Sequence, residues 1–355
     1  AGAAGPISPV RLTGLAVALA ALPVAAADAR PATQPAAFPD AAIADATDAA
    51  DVGPLDAWAD ALGDAGLPDD AARRDRLRRA QAALEQAAAP AADCAATLGA
   101  SRFAALHGAV ARAREALGDR DGARLAWRAA LDCAPRDAEP HAALARLQMI
   151  AGERHAAGAS LARALRLKPG LEIAGQRAAQ LAYLDGRWGE AARRADAIAA
   201  THLAEAHRQE GEAGLQDDGR TEPVEARHAA AYWRMFALLA RRRGGLPPPD
   251  GIAEDAALGG SWPAPLWRHL ALEPDEAGLV AAIDAEDDTR RRREMACEAL
   301  YYTAQQRLAA GQTRAGLRRL ARVVNLKVLH FVEHDLALAE LAARRPGASP
   351  GASGP

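Results

Sequence analysis

Aromatic residues are scarce in this sequence, and patterns typical of β-strands are almost absent from it. Phe, Trp and Tyr make up 4% of the 355 residues, whereas half of the chain is hydrophobic because alanine is abundant. No sustained run alternates β-branched or aromatic residues with polar ones, as a half-buried strand would. Alanine favours helices but buries little apolar area per residue. The composition therefore favours a thin, two-layer arrangement of helices over a globule with a thick core.

Cysteine is also scarce, and its spacing is not that of a metal site. The three cysteines are Cys94, Cys133 and Cys297, and no Cys-x-x-Cys occurs. Cys133 is expected at the end of the second helix of a hairpin, and Cys94 slightly precedes the first helix. A Cys94–Cys133 disulfide is therefore geometrically allowed in an oxidising compartment. The alternative is that these cysteines are small buried hydrophobic residues.

A surplus of positive charge is missing as well. The net charge is -3, and nucleic-acid binding usually needs a strongly basic domain. Residues 40–70 contain nine Asp and no Lys or Arg. The run Arg290–Arg293 follows three nearby acidic residues and is interpreted as a solvated helix face, with a basic dock for an acidic partner as the alternative.

Motifs for catalysis are largely lacking. No Gly-x-Ser-x-Gly and no phosphate-binding glycine loop is present. His330-Phe331-Val332-Glu333-His334 matches the H-x-x-E-H zinc pattern, but a zinc site needs a third protein ligand, and only Asp335 and Glu340 follow, on the same helix. We therefore expect no catalytic residue, no metal and no cofactor, with Glu333 and His334 in hydrogen bonds at a helix end.

The beginning of the chain has the pattern of an export signal. Arg11 precedes an apolar stretch that ends in small residues at Ala25, Ala27 and Ala29. The stretch is shorter than the ~20 residues that a spanning helix needs. We predict a cleaved signal peptide over residues 1–29 and a periplasmic protein. An uncleaved signal that anchors the protein in the inner membrane is the alternative.

What the chain does contain is a repeat. Gly118, Gly152 and Gly186 follow one another at intervals of 34 residues, and Ala123, Ala157 and Ala191 do the same. A recurrence in several columns at this period is typical of tetratricopeptide (TPR) repeats. The fold is therefore predicted to be all-α, a TPR-like solenoid of helical hairpins wound into a right-handed superhelix. Such arrays bind partners on a concave face.

The repeat pattern and the breaker residues predict the organisation of the chain. We expect a signal peptide at 1–29, a disordered acidic Ala/Pro linker at 30–69, a TPR-like solenoid at 70–345 and a disordered tail at 346–355. Within the solenoid we expect clear repeats at 104–137, 138–171 and 172–205, a degenerate repeat at 206–245, a breaker loop at 246–262, and a C-terminal repeat and cap at 287–344.

One short piece of the linker is amphipathic, because Leu55, Trp58 and Leu62 follow helical spacing. It is expected to cap the first hairpin, with docking on a partner and a loose segment as the alternatives.

The first helices of the repeats are predicted to line the concave groove. The register places six side chains there in two columns: Arg112, Arg146 and Gln180, and Glu115, Met149 and Tyr183. Two stacked guanidinium groups would bind a carboxylate or an acidic peptide. The alternatives are ordinary solvated arginines, or a groove that the acidic 40–70 segment occupies in cis.

Residues 229–341 resemble the C-terminal part of the NlpI-type periplasmic TPR lipoproteins. The resemblance is carried by Trp262–Leu270, Glu298–Thr303, Leu308–Gly311, Val328–His334 and Leu338–Leu341. It implies an adaptor that docks cell-wall hydrolases and proteases near the outer membrane. This chain lacks the lipobox cysteine of that family, so no membrane anchoring is expected after signal cleavage.

The expected partners are therefore other proteins, with no nucleic acid. A homodimer through the last helix stays open, and a structural part of an envelope assembly or secretion complex is the alternative function.

Overall fold

The structure is a computed structural model that describes residues 53–63, 67, 70–88, 100–213, 222–249 and 262–344. The predicted signal peptide, most of the acidic linker, the tail and Cys94 lie outside these residues.

Every regular element in the described residues is a helix, which confirms the all-α prediction. The fourteen helices are α1 (Pro54–Leu62), α2 (Asp70–Ala88), α3 (Ala100–Ala116), α4 (Arg120–Cys133), α5 (Ala138–Ile150), α6 (Arg154–Leu167), α7 (Glu172–Leu184), α8 (Trp188–Ala213), α9 (Glu222–Arg243), α10 (Ala264–Ala271), α11 (Glu276–Asp284), α12 (Thr289–Ala309), α13 (Thr313–Asn325) and α14 (Val332–Ala342).

From α2 to α9, each helix packs against the next along the chain. The turns that join α3 to α4, α5 to α6, α7 to α8 and α12 to α13 have the same backbone geometry. Each contains a glycine with φ between 73° and 79°, namely Gly118, Gly152, Gly186 and Gly311. The residue after each glycine donates its N–H to the carbonyl five positions earlier, at 2.8–2.9 Å. These are Schellman-type helix ends, in which a left-handed residue favours glycine. The glycine ladder is thus a ladder of identical turns.

Small residues let the two helices of each hairpin approach closely. Ala123, Ala157 and Ala191 have no exposed surface. In the rear hairpin the corresponding position is Gly316, where an added Cβ would lie 2.6 Å from Leu308. Trp127 packs with α3 and α5 residues in one apolar cluster. These positions therefore lie in the packed interior of the hairpins.

Helix α12 lies at the centre of the rear half. It contacts α1, α9, α10, α11, α13 and α14, and thirteen of its residues, from Arg293 to Gln305, are buried. Helices α12, α13 and α14 lie within the segment 287–344, where a C-terminal repeat and cap were predicted. The sequence did not predict α11, a nine-residue helix that follows the restart at α10.

Helix α1 corrects the prediction of a loose acidic linker. Residues 54–62 are helical, and they pack on α11, α12 and α13 of the rear half rather than on the first hairpin. The amphipathic spacing identified the helix but not its position. Of the described helices, none has both the length and the apolar composition of a membrane span.

Candidate functional site

The inner face of the front hairpins carries the predicted binding residues, and α14 lies directly on it. Helix α14 contacts α5 and α7, the first helices of the second and third repeats. Nine of its eleven residues are buried, from Glu333 to Leu341. The face that was predicted to be an open groove is thus filled by the last helix of the same chain.

Arg146 is the centre of this contact. Its Nε donates to Asp335 Oδ2 of α14 at 2.5 Å, and its Nη1 donates to Glu115 Oε2 of α3 at 2.6 Å. Its Nη2 donates to the carbonyl of Leu329 at 3.3 Å. Burial alone would lower the pKa of Arg146, but the charges of Asp335 and Glu115 outweigh it and raise the pKa. A buried guanidinium that is hydrogen-bonded to two carboxylates is held in one geometry. Arg146 therefore stabilises the packing of α14 on α5.

A second layer of hydrogen bonds lies at the other end of α14. Tyr183 donates its hydroxyl proton to Gln305 Oε1 at 2.8 Å, and Arg243 Nη1 donates to the same oxygen at 2.6 Å. Gln305 in turn donates to Glu340 of α14 at 2.5 Å. Gln180 and Met149 are also buried on this face. All of these partners belong to the chain itself.

Arg112 is the one predicted groove residue that stays accessible. Its side chain is 54% exposed, pairs with Glu139 at 3.0 Å and lies over the ring of Trp127. It therefore does not stack with Arg146, and the predicted double-arginine clamp is not formed. Glu115 accepts a hydrogen bond from Trp127 Nε1 at 2.6 Å as well as one from Arg146. Of the other five predicted residues, Gln180, Met149 and Tyr183 are buried, and the side chains of Arg146 and Glu115 are each 17% exposed.

Sequence reasoning missed Arg177, one turn before Gln180 on α7. Burial lowers its pKa to about 10, and the neighbouring charge of Arg146 acts in the same direction. The arginine column of the inner face thus continues through Arg177 rather than through Gln180. Arg177 lies three residues before Gln180, so a search for basic residues one helical turn from each predicted groove position would have found it.

Two buried carboxyl groups meet where α9, α12 and α14 come together. Glu298 accepts hydrogen bonds from the Tyr232 hydroxyl and from Trp262 Nε1, both at 2.6 Å. Burial raises the pKa of Glu298 to about 7, although these two hydrogen bonds oppose the shift. Burial also raises the pKa of Glu333 to about 8, and the charge of Glu298 adds to it. Both side chains are more than 90% buried, so the pair is part of the packing between helices.

The H-x-x-E-H sequence is divided between two environments. His330 precedes α14, is 54% exposed and pairs with Glu294 at 3.5 Å, whereas His334 is 2% exposed. No three His, Cys, Asp or Glu side chains come together as metal ligands anywhere in the described part of the chain.

Two of the cysteines, Cys133 and Cys297, differ in oxidation state. Cys133 is disulfide-bonded, and Cys297 is free and fully buried in α12. The predicted partner of Cys133, Cys94, lies outside the described residues.

No family model matches the chain. No curated protein matches it significantly either.

Proposed function

We propose that this protein is a non-catalytic scaffold of the TPR type that mediates protein–protein contacts in the bacterial cell envelope. The supporting observation is the recurrence of one turn at Gly118, Gly152, Gly186 and Gly311, with the same glycine conformation and the same backbone hydrogen bond in each. Hairpins joined in this way at a fixed period stack into right-handed solenoids.

The placement in the envelope has a different basis. It rests on the signal-like stretch from Arg11 to Ala27 and on the resemblance of residues 229–341 to NlpI-type lipoproteins. A disulfide at Cys133 fits an oxidising compartment. The proposed location is therefore the periplasm, and the proposed partners are cell-wall hydrolases or proteases.

The filled inner face limits where a partner of this scaffold docks. Because Met149 and Tyr183 are buried, partners first meet the exposed residues of the hairpins, such as Arg112 and Leu125. Leu125 is a large apolar side chain that is 62% exposed.

Site-specific photocrosslinking in intact bacterial envelopes tests the proposal. A photoreactive residue at Arg112 or Leu125 should capture the same small set of envelope proteins, identified by mass spectrometry. A photoreactive residue at the buried Met149 should yield only crosslinks within the chain. Capture of the same proteins at Met149 would mean that the partner displaces α14 and binds the inner face. Absence of any specific protein at Arg112 and Leu125 would reject the scaffold function.

A further inference from the structure

Helix α1 is seated on the rear half of the protein by charged side chains as well as apolar ones. It contacts α11, α12 and α13. Its buried residues are Leu55, Asp56 and Ala59. An aspartate is seldom buried unless it is paired, so the position of Asp56 indicates a specific partner on the other side.

That partner is Arg319 of α13. Its Nε lies 3.0 Å and its Nη2 2.7 Å from Asp56 Oδ2, and the two side chains are 1% and 3% exposed. Arg319 Nη2 also donates to Glu276 Oε2 at 2.7 Å. One helical turn further along each helix, Arg322 forms two hydrogen bonds of 2.8 Å with Asp60. Two carboxylates spaced by four residues thus match two arginines spaced by three.

The middle of α1 and both of its ends are contacted as well. Trp58 Nε1 donates to Asp284 of α11 at 2.6 Å. The buried Arg293 of α12 donates to the carbonyl of Gly63, just after the helix, at 2.5 Å. Before the helix, a Cβ on Gly53 would lie 2.3 Å from Glu276. The surface that binds α1 therefore recognises a pattern of specific side chains and a small residue before the helix, and not negative charge alone.

We propose that this surface, formed by Glu276, Asp284, Arg293, Arg319 and Arg322 and here named the α1 seat, is a docking site for an acidic amphipathic helix of a partner protein. Helix α1 is its intramolecular occupant. The recognised pattern is Gly-Pro-Leu-Asp-x-Trp-Ala-Asp, read from Gly53 to Asp60.

The size of α1 makes its exchange feasible. A nine-residue helix is too short to be stable on its own in water, so α1 keeps its helical form only while it is seated. A segment tethered within the same chain competes with an effective concentration on the order of 1 mM. A partner helix with the same pattern and additional contacts elsewhere on the scaffold replaces it. This inference rests on the proposed scaffold function, but its test uses purified protein only.

The test measures binding of a fluorescent peptide of residues 50–66 to the full chain by anisotropy. Asp56→Arg in the chain places two like charges together and should release α1, and Ala59→Arg gives a second opened chain with Asp56 intact. The peptide should bind both opened chains at least ~10-fold more tightly than the wild-type chain, where α1 competes. Circular dichroism must show that both variants keep their helix content and cooperative unfolding.

Two peptide variants separate pattern from charge. Asp56→Arg in the peptide should weaken binding to the opened chains at least ~10-fold, because a buried charge pair is lost. Ala57→Arg adds positive charge at an exposed position of the same helix and should change binding less than ~2-fold. Failure of the peptide to bind either opened chain, or equal weakening by the two substitutions, would overturn the proposal. So would a wild-type dimer that is linked through exchanged α1 helices. None of these results depends on what the envelope crosslinks capture, so the two proposals fail separately.

Discussion

The buried carboxyl pair Glu298–Glu333 should make the protein less stable as the pH rises from 5 to 8. Glu333 has a folded-state pKa raised from 4.5 to about 8. A group whose pKa is raised on folding stabilises the folded state below its unfolded pKa, and this stabilisation is lost as the pH rises through the folded pKa. The affected window is therefore about pH 5 to 8. In that window the unfolded chain has released a proton that the folded chain still holds.

The magnitude follows from the size of the shift. One unit of pKa corresponds to about 1.4 kcal/mol, and between pH 5 and 8 the linkage relation gives a loss of roughly 3 kcal/mol for Glu333 alone. Glu298 shifts in the same direction, to about 7. The two losses do not simply add, because each carboxyl affects the titration of the other. The lowered pKa of Asp335 acts in the opposite sense, but only in the acid range below this window.

Glu333→Gln removes the ionisable group and keeps its shape. Urea unfolding at pH 5 and pH 8 should show that this variant loses roughly 3 kcal/mol less stability across the window than the wild type does. The matched control is Glu273→Gln, because Glu273 is exposed, and it should follow the wild type. If Glu333→Gln and Glu273→Gln have the same pH dependence, then Glu333 is not a buried neutral carboxyl and the reasoning is wrong.

Three further predictions concern the hairpins and the cysteines. Gly152→Ala should lower the free energy of unfolding by about 1 kcal/mol, because Gly152 has φ +79°. The control Gly170→Ala changes a glycine without positive φ or close neighbours and should be neutral. Equal effects of the two substitutions in urea unfolding would contradict the turn assignment. Ala157→Leu should lower the free energy of unfolding by about 1–3 kcal/mol, because it overpacks a fully buried site. Ala159→Leu, at an exposed site of the same helix, should have little effect. If Ala157→Leu is tolerated, α5 and α6 are not in close contact. Because Cys133 is disulfide-bonded and Cys297 is free, the denatured, unreduced protein should titrate one thiol and the reduced protein three; three thiols before reduction would refute the bond.

Local features of the fold could be predicted from the sequence. The turns at Gly118, Gly152 and Gly186 depend on residues within one turn of each glycine, so a recurring pattern was enough to find them. The turn at Gly311 between α12 and α13 follows the same local rule. Helix α11 was missed because it has only nine residues, although Pro274 and the N-cap residue Asp275 mark its start.

The contacts that decide the candidate sites are long-range, and one sequence does not show them. Arg146 and Asp335 are separated by 189 residues, and nothing local in α14 indicates that it covers α5 and α7. Arg146 was therefore predicted as a ligand-binding arginine, although its chemistry as a carboxylate binder was correct.

For α1, the sequence shows a charge pattern, but its acidic residues were assigned to a disordered linker. Asp56 and Asp60 form an acidic stripe at four-residue spacing beside the apolar pair Leu55 and Ala59. Arg319 and Arg322 form a basic pair on α13. Matching charged stripes of this kind indicate helix pairing, but a register between segments more than 250 residues apart follows only from the structure.

The central claim is that α14 occupies the inner face of the front hairpins through Arg146. A double-mutant cycle with Arg146→Met and Asp335→Asn measures it most directly, by urea unfolding of the wild type, the two single variants and the double variant. The exposed pair Arg112–Glu139 is the control and should give a coupling below about 1 kcal/mol. The account predicts a coupling of about 2 kcal/mol or more between Arg146 and Asp335, since breaking one side of a buried pair leaves the other charge uncompensated. A coupling no larger than that of the exposed pair would contradict the claim.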